Sequence, residues 1–127
     1  MSLDIAVWVP DADAYAGRAV VPDPPGTVTG VGAESFRYLL WGSDTARRLG
    51  ATLLPRLADV TVVNRGHLQV PPDDLDAFDR ECVLLADNVG RLSAATGYDT
   101  RRVLGYLSTM RHAVERARTL GGGVVIW

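Results

Sequence analysis

The feature that most constrains this chain is a pair of helical apolar stripes in its second half, separated by a few residues around Gly97. In the first stripe Leu75, Phe78, Cys82, Leu85, Ala86, Val89 and Leu92 recur at the spacing that places side chains on one face of a helix. Pro72 suits the first helical turn, and Gly97 supplies the left-handed residue that stops such a helix. The second stripe carries Val103, Leu104, Tyr106, Leu107, Met110, Ala113, Val114, Ala117 and Leu120 behind a cap from Asp99 or Thr100. So short a connection makes the two helices antiparallel neighbours. Their apolar faces then need a layer to pack against.

That layer is legible as strands. Leu3, Ile5, Val7 and Val9 alternate with Asp4, Ala6 and Trp8, the period of two that marks a strand, and Pro10 ends it. His67, Leu68, Gln69 and Val70 form a second strand, with Leu68 and Val70 inward and His67 and Gln69 outward. Residues 60–63 read as its hairpin partner across Asn64, Arg65 and Gly66, a three-residue loop with glycine where a left-handed residue is needed. Gly121, Gly122 and Gly123 release the second long helix into Val124, Val125 and Ile126, a strand that re-enters the sheet. Residues 11–32, rich in proline and glycine, read as a long loop in which Ala19, Val20 and Val21 pair briefly with the sheet. A short helix is expected across residues 35–40, and another through Leu49 with Ser43 as its cap and Gly50 as its stop. The expectation is one α+β domain over residues 1–127: a mixed or antiparallel sheet, an antiparallel helical hairpin on one face, and a C-terminal strand returning to the sheet.

Length and composition agree. A chain of 127 residues, 47% apolar and 22% charged, can bury one core without disulfides or metal. The single cysteine, Cys82, forms no internal disulfide, which suits a reducing compartment. Met1-Ser2-Leu3-Asp4 runs directly into a strand-like pattern, so no signal peptide is expected, and no apolar run approaches the ~20 residues of a membrane span. A cytoplasmic location is expected. All thirteen basic residues are arginine, a bias that GC-rich bacterial coding explains. The net charge of −2 argues against a general footprint for nucleic acid or anionic membrane.

No arrangement of residues signals catalysis. Gly121 to Gly123 sit at the negative C-terminal end of a helix, whereas phosphate-cradling glycines precede a positive N-terminus, so the run reads as a stop and a tight turn. His67, His112 and Cys82 are too few and too scattered for a zinc site, and no cofactor is expected. Cys82 falls on the apolar stripe, where a thiol is a small core residue rather than a nucleophile.

Charge is distributed unevenly. Asp11, Asp13 and Asp23 occupy the long loop, and Asp73, Asp74, Asp76 and Asp79 crowd the start of the first long helix. The macrodipole favours carboxylates there, but four in seven residues exceed what capping requires. The second long helix is basic, with Arg101, Arg102, Arg111, Arg116 and Arg118 against Glu115; some of these pair with the acidic helix beside it. A single-strand nucleic-acid surface would interleave aromatics with these arginines, and Tyr106 instead lies on the core stripe.

The function expected is that of a non-catalytic bacterial interaction protein, of immunity or antitoxin type, that occludes a basic partner such as a toxin domain. Asp11, Asp13, Asp23, Asp73, Asp74 and Asp76 are the expected partner-binding residues. The alternative is a small enzyme or ligand-binding domain that uses His67 with carboxylates of the long loop.

Overall fold

The computed structural model describes residues 2–59 and 66–127. The predicted strand at 60–63, and Asn64 and Arg65 of the turn that follows it, lie outside the described residues. The architecture is α+β: a five-stranded antiparallel sheet with helices packed against it. β1 (Ser2–Pro10) is central. β5 (Gly123–Ile126) pairs along one side of it, Ile5 opposite Ile126 and Trp8 opposite Gly123, and β4 (Leu68–Val70) continues outward from β5. The other side of β1 is shared: β2 (Arg18–Val20) covers its second half, with Pro10 opposite Arg18, and β3 (Gly30–Ala33) its first. Residues 11–32, expected as a long loop, thus contain two short strands. β2 falls at the expected place, whereas β3, with two glycines in four residues, carries no alternating pattern to reveal it.

The remaining elements are α1 (Phe36–Leu39), α2 (Asp44–Leu49), α3 (Leu75–Asp87), α4 (Val89–Thr96) and α5 (Thr100–Leu120), with 3-10 turns at Tyr15–Gly17, Leu54–Ala58 and Pro72–Asp74. Ser43 caps α2 by accepting Ala46 N–H at 3.2 Å, and Gly50 ends it at φ +116°. Asp99 caps α5 by accepting Arg102 N–H at 3.1 Å.

The single helix expected between Pro72 and Gly97 is broken in two. Asn88 leaves helical geometry (φ −114°, ψ 21°), its Nδ2 donating to Leu84 O at 2.9 Å while its own N–H is shared between Leu84 O and Leu85 O. A side chain that competes for the helix's own carbonyl bends the chain at that point, a local effect that periodicity does not register. Gly97, at φ +80°, stops α4 as expected. α3 and α5 are antiparallel: Asp76 meets Arg118, Asp79 meets Arg111, and Cys82 Sγ lies 3.9 Å from Met110 Sδ.

One core joins these layers. Leu3, Ile5, Val7, Leu68, Val70, Val124 and Ile126 on the inner sheet face meet Phe78, Cys82, Leu85, Val103, Leu107, Met110, Ala113, Val114 and Ala117 of α3 and α5. Ala6, Trp8 and Val125 form a smaller cluster on the outer face, where the Arg18 guanidinium stacks 5.4 Å from the Trp8 ring centre. Trp8 and Trp41 are buried, whereas Trp127 is 37% exposed.

The three glycines before β5 act differently. Gly121 is the left-handed stop, at φ +70°. Gly122 and Gly123 are there for closeness: a Cβ on Gly122 would collide with the Trp8 carbonyl, and one on Gly123 with the Val70 carbonyl and the Trp8 ring.

Candidate functional site: an acidic end of the sheet

Strand register determines which loops share an end. β1 finishes at Pro10 where β2 begins, β5 begins at Gly123 opposite Trp8, and β4 finishes at Val70 opposite Val124. The loop at 11–17, the Pro71 to Asp74 segment and the end of α5 therefore emerge at one end of the sheet. β4 and β1 are two strand spacings apart, or roughly 10 Å.

The loop between β1 and β2 is internally bonded. Asp11 N–H donates to Gly17 O at 2.9 Å, Ala14 N–H to Asp11 O at 3.1 Å, and Asp13 N–H to Asp11 Oδ1 at 3.0 Å. Asp11 thus shapes the turn with one oxygen while both carboxylates stay exposed. Tyr15 opens a 3-10 turn and is 92% exposed, the most exposed large hydrophobic side chain among the described residues. Ala16 beside it holds φ +58°, a left-handed conformation that costs a residue bearing Cβ about 1–2 kcal/mol.

The other sequence-predicted acids divide into two groups. Asp73 is exposed and Asp74 half-buried in the turn that leads into α3, and Asp74 makes no side-chain cap. Asp76 and Asp23 instead pair within the chain, with Arg118 Nη2 at 2.6 Å and Arg116 Nη2 at 3.1 Å. The segments 11–23, 73–76 and 115–118 hold seven carboxylates and three arginines, so the negative charge here exceeds what internal pairing neutralises.

Three of the five arginines on α5 pair with carboxylates, Arg116 with Asp23 through a single donor. Arg111 donates to both oxygens of Asp79, and this hydrogen bonding raises its already high pKa; Arg118, bonded to Asp76 and Glu115, is raised in the same way. The rings that could have interleaved with them turn inward, Tyr98 packing 4.3 Å and Tyr106 5.8 Å from the Phe36 centre.

His67 is exposed, its ring 6.1 Å from that of Trp127. It precedes Leu68, which aligns through Ile126 with Ile5, and so stands at the opposite end of the sheet from Asp11 and Asp13. The structure does not bring these residues together. His112 is exposed on α5 in a shallow cleft with Ser108, Arg111 and Glu115. Cys82 is fully buried, and burial pushes its thiol pKa far up. Among the described residues no group of three or more His, Cys, Asp or Glu side chains could hold a metal, and no helix is long and apolar enough to cross a membrane.

Three features escaped the sequence reading. Tyr15 signals itself only as a lone aromatic in a loop of Asp, Ala and Gly. Glu81, on the core face of α3 and 6% exposed, accepts the N–H groups of Thr52 (2.6 Å), Leu53 (3.0 Å) and Leu54 (2.7 Å). Its signal is an acid in register with Phe78 and Leu85, where a buried charge demands donors. Arg37, also buried, donates to Glu34, to Leu57 O at 3.3 Å and to Gly66 O, fastening α1 to chain on either side of 60–65.

No protein-family model matches this chain, and no curated protein or solved structure is significantly similar to it.

Proposed function

We propose that this chain is a non-catalytic binding domain that docks a basic protein partner on its acidic end, in the manner of a bacterial immunity or antitoxin protein acting in the cytoplasm. The observation that carries the reading is Tyr15, 92% exposed between Asp11, Asp13 and the left-handed Ala16 on a loop held by its own hydrogen bonds. Tyrosine is enriched among the residues that dominate interfaces, because it buries a large rigid surface and offers a hydroxyl at its tip. A loop already ordered loses little further entropy on binding. Asp73 and Asp74, at the same end, extend the negative field that would steer a basic partner. Occlusion needs a complementary surface of about 800 Å² on each side and no reactive group.

The test is capture from the native host on the immobilised chain at low and high salt. The expected result is one stoichiometric basic protein, released as salt rises. Capture of no stoichiometric protein at either salt contradicts the proposal.

A further inference from the structure

Behind the acidic end, where the last turns of α5 face the segment after β2, lies a cleft of about 270 Å³ lined by Val7, Val21, Pro22, Pro24 and Leu120, with Asp23, Arg116 and Thr119 as its only polar side chains. Its chemistry is an apolar floor with one ion pair, Arg116 with Asp23, at its edge. Arg116 carries five N–H donors. One, on Nη2, meets Asp23 Oδ1 at 3.1 Å; no other hydrogen bond of this guanidinium is formed among the described residues. Thr119 Oγ1 donates to Glu115 O at 3.1 Å, so it lends the cleft only an acceptor. Asp23 and Arg116 are both partly exposed, a setting in which an ion pair contributes little and exchanging one carboxylate for another is nearly neutral.

We infer that this cleft binds a small aliphatic carboxylate, with its tail on Val7, Val21, Pro24 and Leu120 and its head on the unused donors of Arg116. At about 270 Å³ the cleft has room for a short aliphatic chain such as that of octanoate. Guanidinium recognises carboxylate through two parallel bonds, which an alcohol or an amine cannot reproduce. The inference does not rest on the partner-docking reading, which is carried by Tyr15, Asp11 and Asp13, none of which lines the cleft.

Methyl NMR titration with octanoate, octanol and octylamine tests it. Octanoate shifts the Val7, Val21 and Leu120 methyls and saturates with a Kd of about 1 mM or tighter. Octanol binds at least about fivefold more weakly, lacking the charge-assisted pair, and octylamine does not saturate. Arg116→Gln brings octanoate down to the level of octanol, Asp23→Asn strengthens it by removing the competing carboxylate, and Leu120→Gln, at the exposed lip, weakens octanoate and octanol alike. The inference is overturned if octanoate leaves those methyls unmoved, if octanol or octylamine matches it in the unaltered chain, or if Arg116→Gln or Leu120→Gln binds octanoate unchanged.

Discussion

Glu81 on α3 reaches across to Leu54, whose N–H it accepts at 2.7 Å, and the same carboxylate takes up the N–H groups of Leu53 and Thr52. One buried side chain thus satisfies the start of the 3-10 turn at Leu54–Ala58 and ties it to the helical layer. Glu81→Gln turns an NH2 group toward these donors, and the chain is expected to lose about 1–3 kcal/mol of stability. Urea denaturation measures the loss. An unchanged midpoint would mean that the carboxylate is not the anchor described.

Gly122 and Gly105 are expected to respond in opposite directions to the same change. A methyl on Gly122 meets the Trp8 carbonyl, so Gly122→Ala should cost about 3 kcal/mol. Gly105, in the exposed middle of α5, has nothing within 4 Å of an added Cβ, and Gly105→Ala should stabilise by ~0.5–1 kcal/mol. Thermal melts of the two variants check both signs.

Cys82 gives the fold an alkaline dependence. Its thiol pKa is raised in the folded state, above all by burial and further by the charges of Asp79 and Glu81. The unfolded chain therefore releases this proton first as pH rises. The stability linked to it is complete below the ordinary thiol pKa of about 8.5 and is lost progressively above it. Cys82→Ala should show a shallower decline of stability between about pH 8.5 and 10.5 than the unaltered chain, and native Cys82 should resist thiol reagents until the chain unfolds. Equal slopes, or rapid labelling of the folded chain, would contradict this.

The sequence carried different parts of this structure unequally. Elements defined by periodicity or by a cap were legible: β1 from Leu3, Ile5 and Val7, α2 from Ser43 and Gly50, α5 from Asp99 and its stripe, and β5 from the glycines before it. What escaped depends on single side chains acting on backbone. Asn88 breaks the first long helix by bonding Leu84 O, and β3 pairs through backbone alone. The acidic residues were visible, but their division was not. That Asp23 and Asp76 bond arginines of α5 while Asp11, Asp13 and Asp73 form no ion pair among the described residues follows from strand register and helix packing, which long-range contacts decide. Tyr15 was passed over because composition and charge give a lone aromatic no weight.

Tyr15 offers the most direct test of the proposed binding surface. Its side chain packs on almost nothing, so Tyr15→Ala should leave folding stability within about 0.5 kcal/mol. If the acidic end is the docking surface, calorimetric titration of the captured partner should show Tyr15→Ala weakening binding by about tenfold or more. Asp11→Asn with Asp13→Asn should weaken it further at low salt than at high salt. Unchanged affinity in both variants, with the fold intact, would contradict the account and move the partner to another face.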